Sequence, residues 1–294
     1  MKKSTLAISI MFVAFLLLGC VFGGAGLLIG GGADLVGWLR EGNLVGMRGV
    51  SIDSLVAPAI RVRNNVIAKT GSTEAKGVPE TEDLPAGEGS VALQGRITEL
   101  QALVDVADLK VEVGGSDYSL EYEDARGMTY SLEKGVLIIS QREKTGVITD
   151  GGEIVLHLPS GTMLTDASFS VGAGDVDVDG LQAQNLTIRV GAGDFRLEDC
   201  EVGDLNAEVG LGNLKLEGRV TGNLTAEVGA GNLEMELEGS EKDHNYSISV
   251  AAGDVKVGDT HTSGFGAERQ ANNGADNWFI LKCGLGNLQI EFDD

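Results

Sequence analysis

One pattern is written four times in this chain at a fixed interval, and that interval restricts the fold more than any other feature. FSVGAGDVDV is followed by NLTIRVGAGDFRL, DLNAEVGLGNLKL and NLTAEVGAGNLEM. Val171, Val190, Val209 and Val228 each precede a Gly-x-Gly and stand 19 residues apart. Two looser copies follow, Ile248 to Val255 and Ile280 to Leu288. A period near 20 residues is the signature of stacked supersecondary units, none of which can bury its own apolar face.

Aligning the copies sorts the residues into columns. Leu186, Leu205 and Leu224 form one column, Ile188, Ala207 and Ala226 another, and Val190, Val209 and Val228 a third. Past the turn come Phe195, Leu214 and Leu233, then Leu197, Leu216 and Met235. Polar columns alternate with them: Arg189, Glu208 and Glu227; Arg196, Lys215 and Glu234; Glu198, Glu217 and Glu236. A period of two with one apolar face is a half-buried strand, whereas helical spacing would scatter these residues around the axis. The expected architecture is therefore all-β: a parallel β-solenoid (β-helix) with rungs of about 19 residues, each lying on the last at about 4.8 Å. Right-handed coiling is the default for such crossovers.

The Gly-x-Gly-Asx turns read as corners. Gly172, Gly191, Gly210, Gly229 and Gly284 leave the strand, and Gly174, Gly193, Gly212, Gly231 and Gly286 follow two residues later. Glycine is expected there for its access to positive φ. Asp175, Asp194, Asn213, Asn232 and Asn287 come next, expected to bond nearby backbone N–H groups as Asx-turns. A second corner carries Gly203-Asp204 and Gly222-Asn223.

Forty-four glycines with only four prolines suit many tight corners. Twenty-two basic against 44 acidic residues give a net charge of −22, which argues against binding nucleic acid or anionic lipid headgroups. Three cysteines make no disulfide framework. Cys283 occupies the Val190 column and reads as core. Cys200 sits at a corner at a different column position, which disfavours a bridge between the two.

Taken in order, residues 1–32 read as an export or anchor segment. Lys2 and Lys3 precede an uncharged apolar run, Leu6 to Ile29, which as a helix would span roughly 36 Å. The expectation is an N-terminal hydrophobic helix at the membrane, with the remainder outside the cytoplasm. Leu17-Leu18-Gly19-Cys20 resembles a lipobox in which Cys20 would be lipidated, and cleavage near Gly32 or Ala33 as an ordinary signal peptide is a third reading. Residues 33–90 read as a juxtamembrane segment and a flexible linker, and residues 91–294 as the solenoid, with irregular first rungs and a surface loop at 259–277.

The approach Ile154-x-Leu156-x-Leu158-Pro159-x-Gly161, followed by the Val-Gly-Ala-Gly-Asp-Val and Val-Gly-Leu-Gly-Asn-Leu rungs, resembles the bacterial putative-adhesin β-solenoid family, domain of unknown function 4097. The resemblance covers residues 91–294. It implies a cell-surface protein, adhesive or tied to envelope-stress responses, and supplies no catalytic residues.

No catalytic constellation stands out. His157, His244 and His261 lack ligand spacing, and no Ser-His-Asp, Cys-His or HExxH pattern is present. Calcium-binding β-rolls repeat their acidic turn every nine residues, so a once-per-rung Gly-x-Gly-Asx reads as structure, with Asp175, Asp177 and Asp194 the nearest candidates for a Ca²⁺ ligand set. The expected role is a non-catalytic surface module, membrane-associated through its N-terminus, for an extracellular protein or glycan ligand. An envelope sensor or scaffold is the alternative, and a glycan-active enzyme on a β-helix ranks third.

Overall fold

The computed structural model describes residues 82–84, 87–124, 127–141 and 152–293. The expected N-terminal helix, Cys20 and the linker up to residue 81 lie outside the described residues. Among those described, no helix is long and apolar enough to cross a membrane.

Among the described residues, 21 strands make one curled sheet. The first seven are β1 (Glu82–Asp83), β2 (Gly89–Ala92), β3 (Glu99–Val104), β4 (Asp108–Val113), β5 (Ser119–Glu123), β6 (Met128–Glu133) and β7 (Val136–Gln141). The middle of the chain supplies β8 (Glu153–Leu158), β9 (Met163–Val171), β10 (Asp175–Asp179), β11 (Gln182–Val190), β12 (Asp194–Val209), β13 (Asn213–Val220), β14 (Leu224–Val228) and β15 (Asn232–Glu238). The last six are β16 (Asn245–Val250), β17 (Asp254–Val257), β18 (Thr260–Ser263), β19 (Ala267–Ala271), β20 (Trp278–Cys283) and β21 (Asn287–Asp293). A 3₁₀ turn at Glu241–Asp243 precedes β16. The segment expected as linker thus contributes β1 and the first half of β2, and these strands pair antiparallel with β6 and β5.

The strands form two walls joined at the Gly-x-Gly corners. The first runs β1-β6-β7-β3-β9-β11-β12-β14-β20-β16-β19 and is parallel from β7 to β16. The second runs β2-β5-β8-β4-β10-β12-β13-β15-β21-β17-β18 and is parallel from β8 to β17. The 19-residue register is kept: Leu186 pairs with Leu205 and Leu205 with Leu224, while Val190 pairs with Val209 and Val209 with Val228. A short third side stacks Leu164, Ala183, Val202 and Val220. Every apolar column read from the sequence is buried between the walls. Phe169 of the first wall meets Phe195 of the second edge-on, ring centroids 5.4 Å apart. Cys283 lies in the Val228 column, as expected, and both Cys200 and Cys283 are buried free thiols.

The corner glycines serve a different purpose from the one expected. None of Gly172, Gly174, Gly191, Gly193, Gly210, Gly212, Gly229, Gly231, Gly284 or Gly286 lies in the left-handed region. What excludes a side chain is the corner of the neighbouring rung. A Cβ on Gly193 would stand 1.9 Å from the Gly174 carbonyl oxygen, and one on Gly212 1.9 Å from that of Gly193. The corners hydrogen-bond through their backbones: Ala192 N–H donates to Gly172 O at 2.7 Å, Leu211 to Gly191 O at 2.7 Å, Ala230 to Gly210 O at 2.8 Å. The rung-to-rung ladder therefore runs through the corners, and a bare backbone is what lets them approach.

The rungs do not stack in chain order, as the sequence columns imply. At one end, β3 and β4 lie between β7–β8 and β9–β10, so the first rung of the chain is the second in space. At the other, β20 and β21 fill the slot between β14–β15 and β16–β17. Antiparallel strands close both ends: β5 and β6 on β8 and β7, β18 and β19 on β17 and β16. The region expected as a surface loop, 259–277, thus includes the two cap strands β18 and β19. These caps shield the apolar cross-section of a stack, the task expected of terminal repeats.

Buried polar groups fasten the C-terminal insertion. Asn245 Nδ2 donates to the Ala275 and Asn277 carbonyls at 2.7 and 3.0 Å, and its Oδ1 accepts from Asn273 N–H at 2.9 Å. His244 stacks on Phe279 and Phe292, at 4.1 and 5.7 Å between centroids, with Nδ1 3.1 Å from Asn277 Oδ1. Burial holds its pKa below the ordinary imidazole value.

The corner account predicts that Gly212→Ala destabilises the chain by about 1–3 kcal/mol through backbone overpacking. Gly114→Ala, where an added Cβ meets nothing within 4 Å, should change stability by less than about 0.5 kcal/mol. Paired urea melts of the two variants check the difference.

Candidate functional site: the charged face of the second wall

Strand alternation turns every second residue of the second wall outward, and the parallel register lines these residues up in three rows. Beside the corners run Glu153, Asp108, Asp175, Asp194, Asn213, Asn232 and Asn287. The middle row is Lys110, Asp177, Arg196, Lys215, Glu234, Gln289 and Lys256. The outer row holds His157, Glu112, Asp179 and Glu198, then Glu217, Glu236 and Glu291.

The row beside the corners is a ladder between rungs, not a set of local Asx-turns. Asp175 N–H donates to Asp108 Oδ1, and Asp194 N–H to Asp175 Oδ1, each at 3.2 Å. Asn213 Nδ2 donates to Asp194 Oδ1 at 2.7 Å, Asn232 Nδ2 to Asn213 Oδ1 at 2.8 Å, and Asn287 Nδ2 to Asn232 Oδ1 at 2.9 Å. The change from Asp to Asn is a matter of donors. A stacked amide both gives and accepts, whereas stacked carboxylates only accept and lean on backbone N–H groups. The second corner carries the same device: Asn185 Nδ2 donates to Asp166 Oδ1 at 3.2 Å, and Asn223 N–H to Asp204 Oδ1 at 2.7 Å.

The acidic outer row is less repulsive than Glu198, Glu217 and Glu236 in line would be. A register shift after Leu197, with Asp199 at φ 50°, separates Glu198 from Glu217. Basic residues of the middle row fill in. Lys215 Nζ bonds Glu217 and lies 3.6 Å from Glu236, Lys256 meets Glu291 at 2.8 Å, and Lys110 meets Glu112 at 2.6 Å. Hydrogen bonds to these partners raise the Lys110 and Lys215 pKa values and lower those of Glu112 and Glu291. Arg196 stands 3.4 Å from Glu198 and 3.9 Å from Asp177. These pairs are exposed or, for Lys215–Glu217, half-buried at the surface, so each contributes little to stability.

The structure separates the three candidate calcium ligands. Asp175 and Asp194 are neighbours in the ladder, each occupied with backbone or amide donors, while Asp177 belongs to the middle row beside Arg196. Among the described residues no group of three or more His, Cys, Asp or Glu is arranged to hold a metal ion. The histidines stand apart: His157 lies 3.3 Å from Glu112, His261 lies 3.2 Å from Asp254, and His244 is in the C-terminal insertion. Burial pushes the Cys200 thiol up to about 12 and the Cys283 thiol up to about 11, which leaves neither as a thiolate near neutral pH.

An open cavity of about 580 Å³ lies where β2, β5 and β8 meet, at the start of this face. Glu88, Glu121, Glu123 and Glu153 surround it, with Tyr122 and Val155 in its wall. Sequence reasoning missed it because Glu88 and the start of β2 lie in the stretch read as linker and β5 pairs antiparallel, outside the repeat. The arrangement as a whole is suited to attracting cationic or hydrogen-bond-donating groups over a broad surface.

The ladder makes a prediction of its own. Asn213→Asp places a carboxylate directly against Asp194 and should cost about 0.2–1 kcal/mol, as like charges do in cross-strand pairs. The loss should shrink between 0.05 and about 1 M salt as screening shortens to roughly 3 Å. Urea melts at the two salt concentrations measure it.

No curated protein matches the chain in sequence. Among solved structures, a putative cell adhesion protein from Clostridium sporogenes aligns over 71% of this chain and all of its own, at 15% identity and a TM-score of 0.39. A putative adhesin from Bacteroides fragilis aligns over 73% of this chain and all of its own, at 11% identity and a TM-score of 0.34. A putative lipid binding protein from Parabacteroides distasonis aligns over 69% of this chain and 96% of its own, at 11% identity and a TM-score of 0.27. The family model Toastrack DUF4097 matches residues 85–280, which takes in the acidic cavity, the interleaved N-terminal rungs and the four regular corner repeats and stops inside β20. The resemblance drawn from the corner motifs is thus borne out, and the chain belongs to the Toastrack DUF4097 family.

Proposed function

We propose that this chain is a non-catalytic binding module displayed outside the cytoplasm, which engages an extracellular protein or glycan through the outward face of the second wall. Residues 1–32 hold it at the membrane, and the solenoid coils right-handed, following the usual chirality of parallel crossovers. The observation that carries the reading is the state of that face. Its outward side chains are exposed or half-exposed from β4 to β21, with Asp177, Arg196, Glu198 and Lys256 all between 43 and 64% accessible. It is a broad and regular charged surface on a rigid scaffold, the setting in which many weak polar contacts add up to adhesion.

The rows favour ligands that bring positive charge or several donors, such as basic protein segments or amine-bearing glycans. A broad charged face suits recognition better than turnover. Among the described residues, the buried thiols and the scattered histidines form no nucleophile–base pair within hydrogen-bond reach.

Full-length protein in nanodiscs, screened on glycan and cationic-peptide arrays, is expected to retain ligands with an affinity that falls several-fold between 0.05 and about 0.3 M salt, as charged contacts are screened. Asp177→Lys with Glu234→Lys should abolish retention and leave the melting temperature within a few degrees of the parent. Retention that these substitutions do not alter would place the contact elsewhere. The absence of any retained ligand would favour the scaffold role.

A further inference from the structure

The second wall begins on β2, a strand held from one side. Among the described residues β2 pairs with β5 and with no other strand. Leu93 N–H donates to Tyr118 O at 2.9 Å, and Gly87 O accepts from Asp124 N–H at 3.2 Å. Bonded and non-bonded residues alternate in an antiparallel pair, so Gly89 and Val91 also bond toward β5. The backbone N–H and C=O groups of Ser90 and Ala92 therefore point away from the sheet, and both residues are exposed. Native proteins guard such edges with charged residues, proline, bulges or very short strands. The edge strand β1 is two acidic residues long, and β19 carries Glu268 and Arg269. The sequence of β2, Gly-Ser-Val-Ala, has no such guard.

This edge is fixed from beneath. Leu93 is buried, Val91 packs against the core, and the Tyr122 hydroxyl fills the space that a Cβ on Gly89 would take. A strand already held in place costs a partner little ordering. The cavity of about 580 Å³ lies alongside, with Glu88, Glu121, Glu123 and Glu153 around it. Among the described residues no lysine or arginine lines it, and His157 stands 3.8 Å from Glu121. We propose that the β2 edge takes up an extended segment of a partner protein as an added strand, with lysine or arginine at alternate positions. The backbone of such a segment meets the outward groups of Ser90 and Ala92. Its basic side chains cross β2 unobstructed, because Ser90 and Ala92 are small, and reach toward Glu121 and Glu123 on β5, two strand spacings or roughly 10 Å away. The charged rows invoked under the proposed function run from β4 onward, so this site stands or falls separately from them.

Full-length protein in nanodiscs of zwitterionic lipid, titrated with a fluorescent seven-residue peptide of alternating valine and lysine, tests this. Saturable binding is expected, with amide exchange at Ser90 and Ala92 slowed at least tenfold and that at Val91 unchanged. Two derivatives, N-methylated at the valine or at the lysine amides, each leave one peptide edge able to pair. One of them should bind at least tenfold more weakly and the other like the parent. A valine–glutamate peptide should not bind. Ala92→Pro removes an edge N–H and no bond to β5, and should weaken binding at least tenfold with the melting temperature within a few degrees of the parent. Should that variant unfold, the methylated pair still decides. Asp177→Lys with Glu234→Lys should leave the affinity within threefold at about 0.15 M salt, where screening shortens to roughly 8 Å. No binding, equal behaviour of the two methylated peptides, or loss of binding in that double variant overturns the proposal. Slow exchange at Ser90 and Ala92 without peptide also overturns it, because the edge would then be filled by the chain itself or by a second copy.

Discussion

Everything in this structure depends on how closely one corner lies on the next. A parallel solenoid keeps its strands about 4.8 Å apart, and here the hydrogen-bond ladder does not pause where the chain turns. Gly172, Gly191 and Gly210 each accept from the corner of the following rung at 2.7 to 2.8 Å. That continuity requires Gly174, Gly193, Gly212, Gly231 and Gly286 to present bare backbone, since a Cβ there would fall about 2 Å from a carbonyl oxygen. The 19-residue register, the apolar columns and the Asx ladder beside the corners all follow from that spacing. Each stacks like on like because the backbone permits no slip.

The same rigidity gives the two outward faces different futures. Both are generated by one alternation, and both carry acidic and basic rows. The second wall leaves its rows in solvent, interleaved as Lys110–Glu112, Lys215–Glu217 and Lys256–Glu291. The first wall buries Glu208 and Glu227.

Local chemistry was legible in the sequence wherever it repeated. The columns, the corner positions and the core placement of Cys283 could all be read from a period of 19 and an alternation of two. The purpose of the glycines was not legible, because positive φ and close approach both call for a missing Cβ and only the neighbouring rung tells them apart. The Asx residues were ambiguous for the same reason: a side chain that can bond its own turn can equally bond the next rung. The order of rungs was hidden most deeply. A column says which residues share a position in a rung but not which rung lies beside which, and the long spacings before Ile248 and Ile280 gave no sign that β20 and β21 return to an earlier gap. Cap strands β18 and β19 looked like loop because only one neighbour holds each of them, and AERQA carries no apolar face.

The central claim is that the chain closes by inserting its last rung into the stack. Amide hydrogen exchange on the full-length protein tests it directly. If β20 and β21 occupy an interior slot, the amides of Phe279, Leu281, Leu288 and Ile290 exchange as slowly as those of Leu205 to Val209 in the middle of the first wall, although they lie within 16 residues of the C-terminus. Fast exchange of these amides, in the manner of a frayed end and with β16 and β17 still protected, would contradict the interleaved order.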